Sequence, residues 1–405
     1  MWEAGSDLIK FLTTIIGILS LPPPEIAVRI ILAIAGAVIM YLGYKRYLEP
    51  LIMIPMGLGM VIANLAFIPG SGPGSGNPHI DYNFTDWSAI WYYWLQPFYT
   101  LMFSNGLIAC LVFFGIGSLT DITFLMARPY ISFILAAFAE LGTILTLPIA
   151  TTFFGFTPKQ AASIALIGGA DGPIVLFASA KMLDLPKELN LFVAINVVGY
   201  LYLSVLYMFQ EKLDELTIPK KLLAAPMDVR GLPKISPKEK IVFSVVIAAI
   251  LSALFPTASP LILSFFLGVI VREARVNRYI RLLDEVVLDL STFLLALVLG
   301  TLITPQTLFN VLVLKVLVLG IIALTLSSIG GSIGGIIAYY VSGGKINPLL
   351  GPAGVSCVPT TAKISHKVAM KYNPRNYLIT FAMGPNVAGV VTTAILASIY
   401  MALFA

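Results

Sequence analysis

The sequence predicts an all-α polytopic membrane protein with about eleven transmembrane helices and two broken or re-entrant segments that form an inverted repeat. Three observations carry this prediction. Of 405 residues, 58% are hydrophobic and 11% charged, and the apolar ones fall into recurrent runs of about twenty. Lys and Arg gather in short loops, where cytoplasmic loops of membrane proteins carry them. One apolar run also holds a carboxylate, Asp171, set among Gly168, Gly169, Gly172 and Pro173, and glycine and proline break helices.

In chain order the apolar runs cover 8–21, 25–44, 50–68, 91–116, 129–154, 160–182, 189–209, 240–255, 258–271, 286–303, 308–341, 347–370 and 376–404. Residues 1–7 are acidic with no cleavage site after them, so 8–21 reads as a helix rather than a signal peptide. The loop 69–90 is rich in Gly and Pro and has no Lys or Arg. The stretch 210–240 is basic, and four arginines lie in 272–281. Placing these basic loops and Lys45/Arg46 inside requires 160–182 and 347–370 each to enter and leave the membrane on one side. The division that follows is 1–90 for N-terminal helices and an extracytoplasmic loop, 91–210 for a first repeat, 211–239 for a basic linker and 240–405 for a second repeat. LIGGADGPIVLFASAK (166–181) is echoed by LLGPAGVSCVPTTAK (349–363).

Composition excludes several functions. The formal charge of +5 is a topology signal, not a nucleic-acid surface. Two cysteines and two histidines, His79 and His366, offer no disulfide framework or zinc spacing. No phosphate-cradling Gly-rich loop is present.

Intramembrane charge is costly and marks function by default. Ionised, Asp171 offers hard oxygen ligands to a small cation, joined by unwound carbonyls; protonated, it delivers a proton. The alternative is a structural pair with Lys181. In the second break, Asn347, Gly351, Gly354, Ser356 and Lys363 form the constellation, with Asn347 and Ser356 as neutral oxygen ligands. Ser356 and Lys363 are seven residues apart and would share one helix face; a snorkelling role for Lys363 is the bland reading. Asn386 in Met383-Gly384-Pro385-Asn386 either completes the site or bonds across helices. Tyr200, Tyr202 and Asn196 follow the first break as weaker candidates.

GGADGP (168–173), NPLLGPAGVSCVP (347–359) and GPNVAG (384–389), in this order, resemble the β subunits of the sodium-translocating biotin-dependent decarboxylases of oxaloacetate, methylmalonyl-CoA and glutaconyl-CoA. The resemblance runs from about residue 113 to the C-terminus. It implies a subunit in the cell membrane that decarboxylates carboxybiotin and exports Na+, a proton being consumed. The carboxybiotin would come from a separate biotin carrier. A carboxyltransferase α subunit and a small membrane subunit would be further partners, and homo-oligomers would be compatible. It implies Na+ ligation by Asp171, Asn347, Gly351 and Ser356, a functional tyrosine at Tyr202, and contact with carboxybiotin at Lys363 and Asn386. The family often has Arg where Lys363 stands; lysine keeps the charge but loses the two-pronged grip on a carboxylate. Biotin enters only through the resemblance. From the residues alone a sodium-coupled secondary transporter, either an organic-anion symporter or a Na+/H+ antiporter, uses the same architecture, and a purely structural subunit is the third reading.

Overall fold

The computed structural model describes residues 13, 15–68, 77–81, 89–227, 233–308 and 311–405, without the side chains of 186, 205–208 and 308. Most of the loop 69–90, Arg230 and the start of the first apolar run lie outside the described residues. The described chain is helical throughout, with no strand. The main helices are α1 (Pro23–Tyr44), α2 (Pro50–Leu65), α3 (Leu107–Leu119), α4 (Pro129–Ala139), α5 (Leu141–Phe154), α6 (Pro158–Ala165), α7 (Gly172–Met182), α8 (Leu185–Thr217), α9 (Pro237–Leu254), α10 (Ser259–Glu273), α11 (Leu288–Leu302), α12 (Val311–Val341), α13 (Thr360–Tyr372) and α14 (Ile379–Phe404).

Among the described residues five helices are long and apolar enough to cross a membrane, or up to seven if two bent pairs each count as one span. That is fewer than the eleven expected. Apolar runs in sequence pass through breaks that end helices: 50–68 yields a 16-residue helix and 160–182 an 11-residue one after its break. The run 91–116 is likewise divided, at Ser104-Asn105-Gly106, where Gly106 takes φ +82°. Both sequence-predicted breaks are present. The chain is a multi-pass membrane protein of the expected all-α class.

The chain divides into two compact units. The first comprises 1–107, 184–197 and 292–314. In it α1 and α2 form a close pair. Arg29 is fully buried, 3.2 Å from Glu25 and 4.9 Å above the Phe67 ring. Asn64 donates to the Ile303 carbonyl at 2.7 Å.

The second unit comprises 108–183, 198–291 and 315–405, and holds both breaks. One end has an apolar cluster of Phe124, Leu135, Leu223, Leu349, Leu350, Ile364 and Val368. Leu222 and Leu223 of the basic linker are buried, so part of that linker is docked rather than free. Lys240 bridges Asp121 at 3.0 Å and Glu273 at 3.1 Å, joining the loop after α3 to the ends of α9 and α10.

Candidate functional site

The first break begins with a properly capped half-helix. Thr157 and Gln160 form a reciprocal capping box at the start of α6, with Pro158 at its first position. The helix tightens into a 3₁₀ turn at Leu166–Gly169, and Ala170 turns left-handed at φ +54°. Asp171 then caps α7, its Oδ1 accepting from the Ile174 amide at 3.2 Å. Two half-helices therefore meet at a buried carboxylate, 4% exposed. The carbonyl end of one carries partial negative charge and the amide end of the other partial positive charge. Lys181 stands over the Phe177 ring rather than against Asp171, which removes the structural-pair reading.

The second break is built from two short 3₁₀ turns, Pro348–Leu350 and Pro352–Gly354, and α13 starts only at Thr360. Its inner end touches the first break directly. Both the amide and the hydroxyl of Ser356 donate to the Gly169 carbonyl, at 3.1 and 2.6 Å. Helix α14 backs this contact. Its Asn386, Gly389, Thr393 and Tyr400 follow one another at spacings of three, four and seven, hence on one face. A Cβ at Gly389 would lie 2.2 Å from the Gly354 carbonyl oxygen, so only glycine lets α14 approach the break this closely. Asn386 donates to the carbonyls of Ala353 and Val355 at 2.9 and 3.0 Å and to the Thr361 hydroxyl at 2.8 Å. Its own carbonyl oxygen is buried without a partner. Thr393 hydrogen-bonds Glu140 and lies 3.2 Å from Ser356 Oγ.

The structure thus brings Asp171, Ser356 and Asn386 around the meeting point of the two breaks. Asn347 is elsewhere in the break. Its side chain accepts from the Leu349 amide at 2.8 Å and donates to the Ala225 carbonyl at 2.5 Å, tying the outer end to the docked linker. Gly351 is a crossing point with α12: a Cβ there would lie 1.9 Å from the Gly331 carbonyl oxygen. Lys363 is exposed on α13. The expected shared helix face of Ser356 and Lys363 is corrected: Ser356 precedes the helix, because Pro359 holds the chain out of it until Thr360. Lys363 instead begins a row with Lys367 and Lys371, one turn apart. Lys367 pairs with Glu211 at 2.8 Å, and Lys371 pairs with Glu211 and Glu215 at 3.1 and 2.6 Å. Those carboxylates hold the Lys371 ammonium well above its usual range.

Of the two candidate tyrosines on α8, Tyr200 and Tyr202, Tyr200 is the one at the break. Its ring fills the space a Cβ on Gly172 would need, 2.6 Å away, and its hydroxyl is buried without a hydrogen-bond partner. Tyr202 faces away, donating to the Leu317 carbonyl at 2.7 Å with its ring on Gly320. Sequence reading missed Glu140, a buried carboxylate at the junction of α4 and α5. The signal was available, since Glu140 is the only charged residue within the 26-residue stretch Pro129–Phe154.

A sequence model of the family described as the Na+-transporting oxaloacetate decarboxylase beta subunit matches residues 28–404. The chain belongs to this family. Among its curated relatives is a carboxybiotin decarboxylase of Malonomonas rubra, 45% identical over 92% of each chain. The beta subunit of methylmalonyl-CoA decarboxylase from Veillonella parvula is 32% identical over 92% of each. Oxaloacetate decarboxylase beta chain 2 of Salmonella typhi is 36% identical over 76% of this chain and 70% of its own.

Proposed function

We propose that this chain is the membrane subunit of a Na+-pumping decarboxylase, which cleaves carboxybiotin and couples that cleavage to Na+ export. The observation that supports it best is the pair of helix breaks meeting at Asp171 and Ser356 in a member of the β-subunit family. Cleavage of the N–CO2 bond releases CO2 and leaves the electron pair on the biotin nitrogen, which takes up a proton. Moving a Na+ outward against about 100 mV costs about 2.3 kcal/mol.

In this reading one Na+ is held by Asp171 with unwound carbonyls, and a second lies near Ser356. Exchange of Na+ for an entering proton at Asp171 discharges the site, and alternating access carries the released ion outward. Tyr200 takes the place first given to Tyr202, since its ring lies over Gly172 beside the carboxylate. Asn386 holds the second break through Ala353 and Val355. Lys363, exposed and without an ion pair among the described residues, offers its charge to the carboxylate of carboxybiotin. A carboxyltransferase subunit, a biotin carrier and a small membrane subunit complete the complex in the plasma membrane, and 91–210 and 240–405 are its two inverted repeats.

The test is Na+ movement into sealed proteoliposomes containing the purified complex. Carboxybiotin should drive it. Na+ flux that proceeds unchanged without carboxybiotin, together with an organic anion or a proton gradient, would assign the chain to the secondary transporters.

A further inference from the structure

Asp171 gives the first break a charge, whereas the ligands of the second break are neutral. A carboxylate stands directly behind it. Glu140 is 2% exposed, and Thr393 spans the gap, hydrogen-bonded to Glu140 on one side and 3.2 Å from Ser356 Oγ on the other. Thr392 also reaches Glu140, at 3.5 Å. The second carboxylate oxygen, Oε2, has no hydrogen-bond partner. The hydroxyl of Thr143, three residues further along and fully buried, lies at the same carboxylate. Tyr400 donates to the Thr143 backbone carbonyl at 3.1 Å, closing that side.

Among the described residues no Lys, Arg or His pairs with this group. Helices α4, α5 and α14 carry no Lys, Arg or His. Lys315 of α12 donates to the Phe154 carbonyl, and Lys181 of α7 stands over Phe177. A buried carboxylate with an unpartnered oxygen and no basic partner among the described residues calls for a cation.

We propose that Glu140 is the charged ligand of a second Na+ site, completed by the hydroxyls of Thr393, Ser356 and Thr143. One carboxylate and three hydroxyls are hard oxygen donors carrying a single negative charge, which suits a monovalent ion better than a divalent one. The inference rests on the reading of the chain as a Na+ pump and gives that pump one carboxylate per ion. Thr393 then links the two breaks, because it touches both Glu140 and the Ser356 hydroxyl that grips Gly169.

The test is equilibrium binding of 22Na+ to the full purified complex, comparing wild type, Glu140→Gln, Thr393→Val and Asp171→Asn. Glu140→Gln should lose one of two Na+ equivalents, or bind it about 10- to 100-fold more weakly, while keeping the other. Thr393→Val, which leaves the charge and removes the bridge, should weaken the same equivalent, and it carries the test if Glu140→Gln does not fold. A wild-type isotherm in either variant, with Asp171→Asn losing an equivalent, overturns the Glu140 site and leaves the pump reading standing. A wild-type isotherm in Asp171→Asn means instead that the pump reading has misplaced its ion.

Discussion

The two breaks meet at one carbonyl, Gly169, yet are built on opposite principles. The first is a true helix interruption: two half-helices end at a buried carboxylate that caps one of them. The second is an irregular segment held in place by packing and amides. Gly351 sits against α12, Gly354 against α14, Asn386 grips its carbonyls and Asn347 ties its outer end. Charge organises the first and shape organises the second. A pump needs both. An ion site that binds and releases must be charged, and whatever reports the chemistry to it must be positioned precisely.

This contrast predicts different responses to substitution. The largest effect should come from Gly389→Val, which drives a side chain into the Gly354 carbonyl. Overpacking of this kind costs about 1–3 kcal/mol or more, because backbone has to move. Thermal unfolding in detergent should show it even without Na+. Asn347→Ala should cost about 1–3 kcal/mol by leaving the Leu349 amide without its partner and the Ala225 carbonyl with Asn376 as its remaining donor. Its Na+ affinity should stay within about twofold of wild type, since each tenfold is only about 1.4 kcal/mol; a large loss of affinity would make Asn347 a ligand after all.

Ser356→Ala should act on binding as well. Stability should fall by about 1 kcal/mol, since the Ser356 amide still holds the Gly169 carbonyl once the hydroxyl is gone, while Na+ binding weakens by about tenfold, equivalent to about 1.4 kcal/mol. The smallest effect belongs to the loop far from the breaks. Burial pushes the Asp121 carboxyl up, but hydrogen bonds from Thr123 and the Lys240 ammonium outweigh it and hold the group below its ordinary 3.8. Its contribution to stability is therefore complete above that value and is lost as pH falls below it. Lys240→Met should flatten this acid limb by about 1 kcal/mol, read as stability against pH.

Much of this was legible in sequence for a physical reason. The first break is local: Gly-Gly-Ala-Asp-Gly-Pro specifies its own interruption and its own cap. The class and both breaks follow from hydropathy and helix breakers. The count of eleven spans is not confirmed among the described residues, because an apolar run does not reveal where a helix within it ends. The face shared by Ser356 and Lys363 failed because spacing was read across Pro359, which delays the helix. Choosing Tyr200 over Tyr202 needed the fold, since only tertiary packing says which α8 face meets Gly172. Glu140 needed no fold at all: the intramembrane-charge half of the argument for Asp171 applies to it, although no Gly-Gly or Gly-Pro break flanks it.

The central claim is that carboxybiotin cleavage and Na+ binding are coupled at Asp171. Its most direct test is CO2 release from carboxybiotin by the purified complex, with and without Na+, for wild type and Asp171→Asn. Wild-type turnover should require Na+, and Asp171→Asn, folded and monodisperse, should lose it by about 100-fold or more. Equal, Na+-stimulated turnover in the two proteins would contradict the account.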